Sequence, residues 1–156
     1  MRKWLKRVCD IVLILGVVLC VVIVVLRLFG VSVICVQGAS MEPNYGDGEL
    51  HLVAKSSEYK RGDVVVVRVN NTTILKRIIA IEGDTVEIYH HTIWVNDTLV
   101  EPYITGEKWN GSGEYDTCQI IGQGEVYLLG DQRNESGDSR HFGAIRKEQI
   151  IGRVIQ

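Results

Sequence analysis

With 156 residues, the chain has room for one compact domain and an appendage, and too little for two full domains. Seventeen Lys/Arg stand against nineteen Asp/Glu, and outside the first ten residues thirteen basic side chains face eighteen acidic ones, which excludes a basic surface for nucleic acid. Of the four cysteines, Cys9 and Cys20 lie in the apolar start, leaving Cys35 and Cys118 as one disulfide or two free thiols rather than a disulfide framework.

The first ten residues carry Arg2, Lys3, Lys6 and Arg7 against Asp10. From Ile11 to Leu26 every residue is apolar or Gly, Arg27 interrupts, and Leu28-Phe29 resume. At ~1.5 Å per residue the stretch 11–29 makes ~28 Å of helix, close to the ~30 Å of a hydrocarbon core, with Arg27 near enough to its end to snorkel. The run exceeds a usual signal-peptide core and no clear small-x-small cleavage site follows closely, so it reads as a transmembrane anchor rather than a cleaved leader. Positive charge before the span predicts a cytoplasmic segment 1–10 and an extracytoplasmic domain over 30–156.

The stretch "VQGASMEPNYGDG" at 36–48 is a loop by composition, with Ser40 in it. Past Pro43, short runs rich in Val, Ile, Thr and aromatics predict strands: "ELHLVA", "DVVVVRV", "TTILKRIIAI", "DTVEIYH", "TIWVN", "EVYLLG" and "IIGRVI". Arg61-Gly62-Asp63 and Glu82-Gly83-Asp84 supply glycine where the chain must reverse. No 3.6-residue apolar period is sustained there, so the expected class is mainly β, antiparallel and partly closed, preceded by one transmembrane helix. The polar stretch "TGEKWNGSGEYDTCQIIGQG" reads as an excursion from that core, with a turn at Asn110-Gly111. His90-His91 fits a hairpin tip better than a metal centre, and no cysteine pair has zinc-ligand spacing, so no metal is expected.

Two places invite chemistry. Lys76 interrupts a run able to be buried on both faces, and strand alternation puts it on one face with Ile74, Ile78 and Ala80. Such a lysine either reaches water along its stem or sits in an apolar site that favours the neutral amine, which is a general base with a hydroxyl as its natural target. The second place is "LLGDQRNESGDSRHFG", where Asp131, Asp138 and Arg140 with Ser136 and Ser139 suit a fixed hydrogen-bonded network. The regular acidic alternation of a calcium loop is missing there.

Three separated segments, in order and after the same kind of anchor, carry a family resemblance. "GASMEPN" is similar to a Ser-Met-x-Pro box, "LKRIIAIEGD" to a Lys-Arg box, and "GDQRNESGDSRHFG" to a Gly-Asp-Asn-x-x-x-Ser-x-Asp-Ser-Arg box, while "RGDVVVV" matches an intervening one. The chain resembles the membrane-bound type I signal peptidases of bacteria, in the compact form found in Gram-positive bacteria. The resemblance implies a serine endopeptidase with Ser40 as nucleophile and Lys76 as general base. It also implies that Ser136 holds the Lys76 amine and that Asp138 and Arg140 form an ion pair supporting their loop. No cofactor is implied. The implied partners are secretory preproteins, cut after small residues, together with the lipid bilayer and the neighbourhood of the secretion machinery; the substrate-binding residues are not named by it. The implied location is the cell membrane, single-pass, with the N-terminus cytoplasmic.

The sequence departs from the pattern at Asn44 (commonly Thr), Glu82 (commonly Pro) and Gln132 (commonly Asn), changes expected to alter loop packing more than chemistry. Gly38 stands where some relatives carry a serine that helps the oxyanion hole, which shifts that duty to backbone N–H groups, first that of Ser40. Two rival readings are a hydrolase using His141 as base, and a non-enzymatic membrane-anchored β module assisting assembly of surface proteins.

Overall fold

A computed structural model of the chain describes residues 2–28, 30–89, 92–100 and 117–155. It divides into two units, Met1–Ser32 and Val33–Gln156.

The first unit is a helix, α1 (Arg2–Leu28), whose side chains are exposed throughout the described part. It starts nine residues before the apolar run, because nothing in the basic segment breaks a helix. Its 25-residue stretch Trp4–Leu28, which holds an 18-residue window of mean hydropathy 3.3, is long and apolar enough to cross a membrane. Gly30, at φ 69°, closes the C-terminus by donating its N–H to the Arg27 carbonyl at 3.0 Å.

The second unit contains two sheets. In chain order the strands are β1 (Val31–Cys35), β2 (Leu50–Ala54), β3 (Val64–Val69), β4 (Thr72–Ile81), β5 (Thr85–Tyr89), β6 (Thr92–Val95), β7 (Thr98–Leu99), β8 (Thr117–Ile120), β9 (Glu125–Leu129), β10 (Ile145–Arg146) and β11 (Ile150–Val154). One sheet runs β1-β2-β11-β3-β4-β9-β10 and the other β7-β6-β5-β8. The ladders from β2 through β11, β3, β4 and β9 to β10 are antiparallel, as are those of the second sheet. The mainly β, antiparallel expectation is met.

Both faces of β3 and β4 are covered, which explains why their sequences are nearly continuous apolar runs rather than alternating ones. Val64 and Val66 join Val36, Met41, Tyr45, Val53 and Val154 on one side. Val65 and Val67, both fully buried, join Ile78, Val126, Leu128 and Ile150 on the other. At ~25 cal/mol per Å² of apolar surface, each such valine contributes roughly 1.5 kcal/mol or more to holding these strands together. A third cluster, with Ile79, Ala80, Val86, Ile88, Val95 and Tyr127, is shared by the two sheets.

Two expectations are corrected here and one open alternative is resolved. Ala80 does not share a face with Ile74, Lys76 and Ile78: the β4–β9 register shifts between Ile78 and Ala80, and this bulge turns Ala80 into the cluster between the sheets. The predicted excursion at 105–124 is partly sheet, since Thr117–Ile120 forms β8 against β5 and the next residue, Ile121, is buried in the third cluster. Cys35 and Cys118 are free, exposed thiols. The β5–β6 ladder pairs Tyr89 with Thr92, while His90-His91 and Asn110-Gly111 lie outside the described residues.

Candidate active site

Ser40 lies on the loop between β1 and β2, which is tied at its base by Val36 N–H to Glu49 O and Gly48 N–H to Val36 O, both at 2.9 Å. Gly38 needs its glycine, with φ at +83°, and its N–H donates to Asp47 Oδ1 at 2.8 Å. Met41 is only 1% exposed and sinks into the apolar cluster below, so the next residue in the chain anchors Ser40 from beneath. Val36, Met41, Val66 and Leu75 line a cleft of about 350 Å³ together with Ser40 and Lys76.

Lys76 enters from the middle of β4, paired across from Val65 and only 3% exposed. Its Nζ lies 2.7 Å from Ser40 Oγ and donates to the Leu75 carbonyl at 2.9 Å. Burial pushes the pKa of this amine down; the Asp138 and Asp131 carboxylates oppose the shift and the Arg140 guanidinium adds to it. Charge is thereby disfavoured on the nitrogen that is hydrogen-bonded to the Ser40 hydroxyl.

The loop after β9 backs this pair. Arg140 makes a two-pronged contact with Asp138, Nε to Oδ1 and Nη2 to Oδ2, both at 2.8 Å, with both side chains almost fully buried. Asp138 also caps the short helix α2 (Ser139–Phe142) by accepting from the Arg140 N–H, and takes the Gly130 N–H at 3.0 Å. Ser139 Oγ accepts from the Leu128 N–H at 2.9 Å, stitching the loop to β9. Ser136 is buried, but its Oγ has no hydrogen-bond partner, so the bond to the Lys76 amine implied by the resemblance is not formed in this arrangement. His141 is exposed on α2, whereas the Ser40 hydroxyl faces Lys76.

Three further residues complete the geometry, and sequence reasoning gave them no role in it. A Cβ on Gly130 would overlap the Ser136 side chain and come within 2.5 Å of the Ser40 carbonyl oxygen, so three segments converge on that glycine. Arg77, beside Lys76, donates through Nε and Nη2 to Asp131 at 2.8 and 2.6 Å, and Asn44 Nδ2 donates to the same carboxylate at 2.9 Å. The signal for Arg77 was available, since a cation inside a strand of buried residues requires a carboxylate partner. No group of three or more His, Cys, Asp or Glu able to hold a metal ion occurs among the described residues.

An antiparallel β domain that sets a serine hydroxyl against a buried lysine amine carries a nucleophile and a base of the kinds a hydrolase uses. A family model described as signal peptidase, peptidase S26, matches residues 4–156. Signal peptidase IB of Staphylococcus aureus strain COL is 33% identical, with 86% of this chain and 81% of that protein covered. Signal peptidase I of Bacillus licheniformis is 32% identical, with 96% of this chain and 84% of that protein covered. The crystal structure of a signal peptidase I from Enterococcus faecalis V583 shares the fold, with a TM-score of 0.52 over 64% of this chain and 98% of that one at 24% identity. The chain belongs to the peptidase S26 family of signal peptidases.

Proposed function

We propose that the chain is a membrane-anchored type I signal peptidase that removes N-terminal signal peptides from secreted preproteins by a serine–lysine mechanism. The observation that carries this reading is the 2.7 Å approach of Lys76 Nζ to Ser40 Oγ at a lysine that is almost fully buried. The neutral amine takes the Ser40 proton as the hydroxyl oxygen attacks the scissile carbonyl, and then returns that proton to the leaving amine. Water repeats the cycle on the acyl-enzyme. The developing oxyanion is met by backbone N–H groups; among the described residues the Ser40 N–H makes no hydrogen bond, whereas that of Gly38 is committed to Asp47. Ser136, with an unpartnered hydroxyl, is the group available to hold the amine when it leaves the Leu75 carbonyl. The Asp138–Arg140 pair keeps that loop in place.

In this reading the preprotein lies extended along the cleft, with shallow apolar recesses admitting only small side chains next to the cut. Residues 1–10 are cytoplasmic, 11–29 the anchor, and 30–156 the extracytoplasmic catalytic domain, so the reaction is held at the membrane where preproteins emerge. No cofactor takes part. Incubating the detergent-solubilised protein with a secretory preprotein and locating the cut by mass spectrometry tests the activity. Ser40→Ala should lose at least ~10³-fold in rate with an unchanged circular dichroism spectrum, and a variant still cutting at the wild-type rate removes Ser40 as nucleophile.

A further inference from the structure

Ser40 and Lys76 sit on different elements, and proton transfer between them demands a separation fixed to a fraction of an ångström. Lys76 is fixed by its strand. The loop of Ser40 is tied to itself at its base and seated by the buried Met41 and Tyr45, and besides the Lys76 bond itself two hydrogen bonds reach its central part from the loop after β9. Gln132 N–H donates to the Ser40 carbonyl at 3.1 Å, and Asn44 Nδ2 donates to Asp131 Oδ2 at 2.9 Å. Asp131 is 1% exposed and its two oxygens also receive Arg77, the residue next to Lys76. One buried carboxylate is therefore bonded on one side to the strand of the amine and on the other to the loop of the hydroxyl. Arg77 already balances its charge, and Asn44 is an exposed side chain that fills no core space. What the Asn44 bond adds is position.

Resting on the serine–lysine reading, we propose that Asp131 is the joint that registers nucleophile against base, and that Asn44 is a positioning residue acting through it. Asn44→Leu keeps the shape and loses the donor. With the joint cut, the hydroxyl wanders from the amine while the cleft and the lysine's surroundings stay as they were. The kcat for preprotein cleavage should fall about tenfold to a hundredfold, with KM within about threefold, the alkaline-rising pH profile in the same place and Tm within about 2 °C. Asn44→Thr, which retains a donor, should recover much of the loss.

A wild-type kcat in Asn44→Leu, a loss carried by KM or by a fall in Tm, or no recovery in Asn44→Thr would each overturn the proposal. Ser40→Ala run beside them separates the two readings. An active Ser40→Ala strikes the pair itself and the joint with it, whereas an inactive one beside a fully active Asn44→Leu removes the joint alone.

Discussion

At the scale of single residues, the proposed mechanism turns on the protonation of one amine. Lys76 can accept a proton only when neutral, and burial has already moved it toward neutrality from its ordinary value near 10.5. Cleavage should therefore rise with pH, by up to about tenfold per pH unit below the depressed pKa, and level off above it. Lys76→Met, similar in length and apolar, should fold and lose nearly all activity; Lys76→Arg should fail too, because a guanidinium stays protonated. His141→Ala should keep most of the rate, and a dead His141→Ala beside an active Lys76→Met would transfer the base to the histidine. The same burial has a cost in stability whose sign can be checked. Between the lowered folded pKa and the unfolded one, the unfolded chain binds the proton that the folded chain lacks, so wild-type stability gains with rising pH in that window. Lys76→Met is free of this penalty. It should melt above the wild type at neutral pH, with the difference shrinking as pH approaches 10.5, and calorimetry at a series of pH values reads both.

At the scale of elements, the site is assembled where the β1–β2 loop, β4 and the loop after β9 meet, and Gly130 is where they leave no room. Gly130→Ala should drive a methyl group into the Ser136 side chain and the Ser40 carbonyl, lowering stability by about 1–3 kcal/mol and activity by far more. Chemical denaturation and cleavage assays on this variant measure the two losses separately, and wild-type values for both would show that the loops can part without consequence. The strands around this junction were legible because their composition fits a buried sheet; "TTILKRIIAI" is β4 residue for residue. Less visible were β1, β7 and β10, which are short or lie against the apolar start, and β8, whose polar and exposed residues pair with β5 through the backbone. The motifs named Ser40, Lys76 and the Asp138–Arg140 loop. They could not announce the bulge at Ile78/Ala80, which depends on how β9 pairs, nor the Asn44–Asp131 bond between positions 87 apart in the chain.

At the scale of the whole molecule, location and chemistry are divided, in the proposed reading, between the apolar helix and the β unit. α1 is uncovered in the chain itself, with side chains such as Leu13 and Leu19 more than 60% exposed, and a surface of that kind is stable only in lipid or against another apolar partner. The proposed orientation rests on charge. Arg2, Lys3, Lys6 and Arg7 precede the span with Asp10 alone against them, and basic residues flanking a span are retained on the cytoplasmic side. Residues beyond 30 should then face outward, where a signal peptide crossing the bilayer delivers its cleavage site. Protease added to intact cells stripped of wall should digest the β unit and leave a small membrane-embedded N-terminal fragment, whereas an epitope placed before Arg2 should stay protected until lysis. Protection of the β unit with digestion of the epitope would reverse the topology. It would also leave Ser40 on the side where no signal peptide awaits removal, so the anchor's charges and the reactive pair are tested together by one experiment on where the chain faces.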